Sequence, residues 1–360
     1  MNKNAELCLM NHQYFTAMKK GIKLFDKKIS QFPDIISWAK TLDVTEPGKF
    51  LTNNKANKLF LASGGSYSAA AFAELLSVKK QIMAHAMTPH FYLTSGFYSL
   101  PAQTLLISAS GANNDICRTF EAGKANLQEM KAITLSSKGK LQSLMNDSES
   151  GNVYSYDIPT GRDGFLSTNT VLSFYILLYR AFGYNDLDEL QTEMPETESD
   201  EINRFITSLK HISDEEMTEH EAFLHKLEGV DSFFILYTGK SYPAALDIES
   251  KFSEGAIGNT QLADYRNFAH GRFNWFTQRP GQTGLICLQT PDDTELSEEI
   301  LSRLPIHVPT LRLRTSHTSP LGCIDLLIKE HYLCSALADR WGLDISRPSV
   351  PEYGKFLHGM

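Results

Sequence analysis

Leu59-Phe60-Leu61-Ala62-Ser63-Gly64-Gly65-Ser66, running into the alanine-rich stretch Ala69 to Lys80, decides the fold of this chain. A short unbroken apolar run reads as a strand buried on both faces, because alternation disappears when neither face meets water. The small residues after it read as a tight turn and the alanines as a helix. The cycle then recurs. The pattern predicts strands at His90–Thr94, Thr104–Ser108, Ala132–Leu135 and Val153–Ile158, and helices over Asp115–Met130 and Leu172–Phe182. Strand and helix alternating in short units specify an α/β architecture: a parallel sheet with helices on both faces.

Residues Asn185 to Glu216 are polar and acidic and read as a linker with helical pieces. A second α/β unit follows, with a buried strand Phe233–Tyr237, a turn Gly239-Lys240-Ser241 and a helix Pro243–Glu254 that has proline in its first turn. Later strands are expected at Gly284–Leu288 and Thr310–Leu313, and a closing helix over Cys323–Trp341. Two similar units point to a duplicated domain. The expected boundaries are 1–45 for an N-terminal helical segment, 46–195 for the first domain, 196–225 for the linker and 226–360 for the second domain with its tail. Tyr14, Met18, Ile22, Phe25 and Ile29 give the N-terminal segment an apolar helical face that must cover a domain or a second subunit. The tail from Asp344, with Pro348 and Pro351, reads as an irregular strap.

Composition narrows the function classes. The chain has 360 residues and is 42% apolar, enough to bury sizeable cores, and its net charge is −8. Its densest charge run, Glu189 to Glu216, is acidic, which argues against a nucleic-acid partner. Cys8, Cys117, Cys287, Cys323 and Cys334 show no paired spacing and read as reduced thiols of a cytoplasmic protein. The N-terminus lacks the basic-then-apolar layout of a signal peptide. The longest apolar run, Val171 to Tyr179, ends at Arg180 and is far shorter than the roughly 20 residues of a membrane span. No membrane partner is expected.

Two serine-bearing turns follow strands, Ser63-Gly64-Gly65-Ser66 and Ser108-Ala109-Ser110-Gly111-Ala112-Asn113. A strand ending in small residues lets backbone approach a ligand, and the next helix aims free N–H groups at it, which makes an anion site. The plainer alternative is that glycine and serine only make tight connections. Two such turns at the carboxyl ends of neighbouring strands, where open α/β sheets bind ligands, favour the site. The GxGxxG and GxxxxGK[ST] fingerprints are absent, so nucleotide chemistry has no motif support. Lys251 and Glu254 lie three apart on one helix and share a face, either as a solvated ion pair or as acid–base equipment. His270-Gly271 follows Glu254 by sixteen residues, in the stretch Asp264 to Arg272, where polar and aromatic residues interleave without amphipathic logic. That reads as a functional loop.

These motifs resemble those of the sugar-isomerase (SIS) family. The Ser63–Ser66 turn with its alanine-rich helix is similar to the family's first motif, and Ser108 to Asn113 to its serine-rich phosphate loop. Tyr242-Pro243 through Lys251 and Glu254 to His270-Gly271 resembles the second SIS domain of the isomerase half of glucosamine-6-phosphate synthase. The resemblance spans about residues 55 to 350 and implies two SIS domains, each a parallel sheet between helices, related by a pseudo-two-fold axis. It also implies roles. Gly65, Ser66, Ser108, Ser110, Gly111 and Asn113 would hold a sugar phosphate, with Ser167 as a further contact. Glu254 would shuttle a proton between C1 and C2, Lys251 would stabilise charge near C2, and His270, often lent by a neighbouring subunit, would assist ring opening. Such chemistry needs a base, an acid partner and help for an oxyanion, with no cofactor and no metal.

The chain departs from that pattern at Ala109 (glutamine in the family), Asn169 (lysine) and Arg272 (proline), and it lacks the family's lysine near Pro351, where Lys355 is the nearest substitute. No amidotransferase region precedes the SIS units. The leading expectation is therefore a sugar-phosphate aldose–ketose isomerase or amino-sugar phosphate deaminase, acting as a homodimer on a phosphorylated sugar or amino sugar. A third expectation, an enzyme acting on a sugar adduct such as a fructosamine phosphate, is not separated from the first by sequence. A non-catalytic sugar-phosphate sensor is the alternative from another class; it would need the serine turns but no base.

Overall fold

A computed structural model describes residues 24–126, 129–148, 151–190, 222–279 and 281–359. Within them the chain builds two wholly parallel sheets. Helices α1 (Phe32–Thr41) and α2 (Thr45–Thr52) lead into the first unit. It continues β1 (Lys58–Leu61), α3 (Tyr67–Lys79), β2 (Ala84–Met87), α4 (Pro89–Ser95), β3 (Gln103–Ser108), α5 (Asn114–Ala125), β4 (Glu129–Thr134), α6 (Lys140–Asn146), β5 (Gly151–Ser155) and α7 (Asn169–Ala181). Its strands lie in the order β2-β1-β3-β4-β5. The second unit runs β6 (Ser232–Tyr237), α8 (Tyr242–Glu254), β7 (Asn259–Asp264), α9 (Asn274–Gln278), β8 (Thr283–Gln289), α10 (Thr294–Leu301), β9 (Thr310–Arg314), α11 (Leu321–Trp341) and α12 (Glu352–Gly359), with strand order β7-β6-β8-β9.

One continuous core joins the units. Phe60, Ile107 and Tyr175 of the first pack in the same cluster as Phe233, Ile248 and Leu327 of the second. Helices α3, α7, α8 and α11 fill this space and pack on one another. Helix α7 is buried at every position from Val171 to Tyr179, which explains why its sequence shows no polar face. Separate cores around Leu61, Phe120 and Met130, and around Phe234, Phe268 and Phe276, cover the opposite sheet faces. Both sheets are thus buried on both sides, as the unbroken apolar strands require. Among the described residues no helix is long and apolar enough to cross a membrane. Cys117, Cys287, Cys323 and Cys334 are buried free thiols; Cys8 lies outside the described residues.

Four local expectations are corrected. His90–Thr94 is helix, not strand, because Pro89 occupies its first turn and the Thr88 hydroxyl accepts from the Phe91 N–H at 3.3 Å. The strand of that region is β2. Helix α5 stops at Ala125, and Met130, fully buried, belongs to β4 between Thr104 and Gly151. The edge strand β7 went unread because it is polar and only half-buried, and the end of the tail forms a helix directly after Pro351. The N-terminal apolar face, from Phe25 on, covers this chain's own core: Phe25, Ile29, Phe32 and Ile35 are buried in it, and α1 packs on α7. Tyr14, Met18 and Ile22 lie outside the described residues, as does most of the acidic stretch 189–216.

Candidate active site

The chain leaves β1 towards β2 on one side and β3 towards β4 on the other, so the first sheet has its topological switch point between β1 and β3. The crevice at the carboxyl ends of two such strands is where open α/β sheets take ligands. Both serine turns stand there. Gly64 adopts φ +56°, a conformation that favours glycine. Gly65 lies so close to the loop before α7 that a Cβ on it would fall 2.7 Å from the Ser167 Cβ. Ser66 and Ser167 are half-buried and therefore reachable. Ser108 ends β3, buried, and Ser110 is exposed beyond it. Gly111 turns at φ +60° against Thr134 and Gly139. The Ser110 hydroxyl accepts from the Ala112 N–H at 3.2 Å, which leaves its own proton to donate. Asn113 is the N-cap of α5, its Oδ1 accepting from Ile116 N at 3.0 Å, so one of its polar atoms belongs to the helix end.

The loop bearing Ser167 is rigidly held. Asp163 Oδ2 accepts from Thr168 N (2.8 Å), Thr170 N (2.9 Å) and Thr170 Oγ1 (2.6 Å), and Phe165 N donates to Ser346 O of the tail at 2.7 Å. The far end of α8 closes on the same loop. A Cβ on Gly255 would sit 3.4 Å from Leu166 Cδ1, and the preceding residue is Glu254. Glu254 is exposed, with Ser250 Oγ donating to its Oε1 at 2.7 Å. The fold thus gathers Gly65, Ser66, Ser108, Ser110 and Ser167 at one switch point, and the end of α8 touches the Ser167 loop at Leu166.

No protein-family model and no curated protein matches the sequence. Solved structures do match its fold. Glucosamine-6-phosphate deaminase from Thermotoga maritima aligns at 15% identity over 91% of this chain and 98% of its own, with a TM-score of 0.65. Tagatose-6-phosphate ketose/aldose isomerase from Escherichia coli aligns at 14% identity over 88% and 93%, with a TM-score of 0.64. The C-terminal domain of glucosamine-fructose-6-phosphate aminotransferase from Francisella tularensis aligns at 14% identity over 90% and 98%, also at 0.64. The chain has the double SIS fold.

Two expected site residues stand elsewhere in this double SIS chain. Lys251 does not face Glu254 in an ion pair. Its side chain is 3% exposed, and its ammonium pairs with Asp247 one turn back and lies 3.6 Å from Glu330 Oε1 of α11. Burial works against that charge, yet Asp247 and Glu330 together carry the ammonium above its ordinary range. Burial pushes the Asp247 carboxyl up to about 7, raises Glu330, and drives the neighbouring His331 imidazole down to about 3. Asp247, Glu330 and His331 have the donor atoms of a metal site. The Lys251 ammonium already sits among these carboxylates as their cation, so the cluster reads as an ion-pair network binding α8 to α11. Ser68 Oγ, donating to Asp247 Oδ1 at 2.9 Å, ties α3 into it. Three groups of this cluster, Asp247, Glu330 and His331, escaped the sequence reading, since single charged residues in helices look like surface.

His270 is exposed on the loop after edge strand β7, at a kink where Gly271 has φ +129°. Among the described residues no hydrogen bond or ion pair joins His270 to Glu254 or to the serine turns. Phe268 anchors the loop in the outer core, while Phe273 beyond His270 is 46% exposed.

Proposed function

We propose that the β1/β3 switch point binds a phosphorylated sugar or amino sugar, and that Glu254 moves a proton between C1 and C2 of the opened chain, as in an isomerase or a deaminase. The observation that carries this reading is that the two serine turns share that point, that the Ser167 loop packs on Gly65, and that the same loop touches Gly255, next to the exposed Glu254. The hydroxyls and helix N-termini suit a phosphate dianion. Glu254 then takes the proton from one carbon and returns it to the next, and free backbone N–H groups of the turns would stabilise an enediolate oxygen. Lys251 acts here through structure: it fixes the end of α8, and hence Glu254, instead of touching substrate. The names of the matched structures, a glucosamine-6-phosphate deaminase and a tagatose-6-phosphate isomerase, support the same substrate class. The test is incubation with a panel of hexose and amino-sugar phosphates in deuterated water, reading C1/C2 exchange and ammonia release. Tight binding with no exchange for any of them would favour a sensor.

Replacing both Ser108 and Ser110 by alanine should weaken phosphosugar binding by tenfold or more per serine, since each hydrogen bond to a charged group is worth about 1.5–3 kcal/mol. Calorimetric titration checks this, and unchanged affinity in the double variant contradicts the phosphate site.

The exposed His270 and Phe273 support a homodimer in which this loop completes a neighbour's site. Sedimentation should then show a dimer. Mixing two inactive proteins, Glu254→Gln and His270→Ala, should restore exchange, because a hybrid holds one intact site. A stable, active monomer would dismiss the arrangement.

A further inference from the structure

The segment before α1 has a face that the core does not use. Leu24, Lys27, Lys28 and Gln31 recur at helical spacing, beside the face that buries Phe25 and Ile29. They wall a cavity of about 570 Å³ together with the loop around Arg162 and the tail at Arg347. That volume is within the usual range of small-molecule sites. Ser346, 1% exposed, holds the three walls together. Its hydroxyl accepts from Phe25 N at 2.9 Å and its carbonyl from Phe165 N at 2.7 Å. A Cβ on Gly164 would fall 2.8 Å from the same carbonyl, so the loop fits there only with glycine. Segments far apart in the chain are thus fixed around one opening.

The charge of this cavity is one-sided. Lys27, Lys28, Arg162 and Arg347 line it against a single carboxylate, Asp163. Asp163 Oδ2 is filled by the three donors of the Ser167 loop, and its Oδ1 is sealed from solvent. Two acids close by in the chain do not line the cavity. Asp26 accepts from Ser335 Oγ, and Asp344 Oδ1 accepts from the N–H groups of Ser346 and Arg347 at 3.0 and 2.8 Å. The side chains of Lys27, Arg162 and Arg347 have no hydrogen-bond or ion-pair partner among the described residues.

Lys28 is the decisive group. Among the described residues three lysines are buried. Lys251 has its two carboxylates, and Lys58 has the Phe50 carbonyl, the Gln103 amide oxygen and the Phe50 ring. Lys28, 7% exposed, has one acceptor, Thr160 O at 2.8 Å, and no carboxylate. An ammonium has three donors, and burying it without a counter-charge is costly. The cavity beside it is where a counter-anion fits. A lone carboxylate would leave most of these cations unmatched. A phosphate or diphosphate spreads two or more charges over several oxygens, and the two guanidinium forks suit it. Leu24, Phe165 and Pro348 add apolar wall for the rest of the ligand.

We propose that this cavity binds a phosphate-bearing small molecule with two or more negative charges, at a site separate from the serine turns. The inference stands on this cavity alone and does not need the isomerase reading. The experiment titrates pyrophosphate by calorimetry into the full chain carrying Ser108→Ala and Ser110→Ala, so that the serine turns do not supply the signal. One equivalent should bind per chain, and acetate should not displace it. Arg162→Gln and Arg347→Gln, both at exposed positions, should each weaken binding about tenfold or more. Lys124→Gln removes the same charge outside the cavity and should change nothing. Lys28→Met keeps the stem and strands only a carbonyl, so it should fold, by circular dichroism, and fail to bind. Absence of binding, displacement by acetate, unchanged affinity in either arginine variant, an equal loss in Lys124→Gln, or full binding in Lys28→Met would each overturn the proposal.

Discussion

Lys251→Met should destabilise the protein by about 3–5 kcal/mol, the usual cost of removing one partner from a buried ion pair. Urea unfolding followed by circular dichroism would show the midpoint falling with little change in slope. The reason is geometric. Methionine fills much of the lysine stem's space, so little cavity forms, but Asp247 and Glu330 are left as two carboxyls in the core with no cation between them. If Lys251 instead worked on substrate from a solvated helix face, the same variant would fold normally and lose only turnover. The cluster also has a pH signature. The folded Asp247 carboxyl titrates near 7 where its ordinary value is 3.8, so its contribution to stability is present below the lower value and fades as pH rises through the upper one. Asparagine cannot titrate. Asp247→Asn should therefore gain stability relative to wild type as pH rises from about 4 to about 7, and a constant gap between the two proteins would contradict the raised value.

The architecture was legible because burial writes itself into strands. Leu59–Ala62, Thr104–Ser108 and Phe233–Tyr237 could be buried only on both faces, and that forces a parallel sheet between helices. The two serine turns were legible for a similar reason: glycine at Gly64 and Gly111 is required by positive φ, and at Gly65 by the approach of Ser167. Residues whose role depends on partners distant in the chain were not legible. The spacing of Lys251 and Glu254 correctly placed both on one helix, yet nothing local reveals that Glu330, some eighty residues on, claims the lysine. Nothing in the sequence around Asp247 marks it as the fully buried partner that the packing of α8 on α11 makes it. The errors at His90–Thr94 and β7 have different origins: Pro89 and the Thr88 cap turn an alternating stretch into a helix, whereas β7 is polar and half-buried and offers no apolar run to read.

Glu254→Gln should leave the fold and phosphosugar affinity close to wild type while reducing C1/C2 hydrogen exchange by on the order of 10²–10⁴-fold, the usual contribution of a positioned general base. The side chain is exposed at the end of α8, so the amide fits without a buried penalty, and Ser250 Oγ can still donate to its oxygen. What glutamine cannot do is accept a proton from carbon. The measurement is single-turnover exchange followed by NMR, paired with calorimetric binding on the same preparation, so that a loss of rate is read apart from a loss of affinity. Glu254 is the exposed carboxylate proposed for proton transfer, and Lys251 is held in the core by Asp247 and Glu330. Its removal therefore tests the catalytic reading directly. Normal exchange in a folded Glu254→Gln protein would move the base to another residue. Binding without exchange in the wild type would leave the same serine turns working as a sensor.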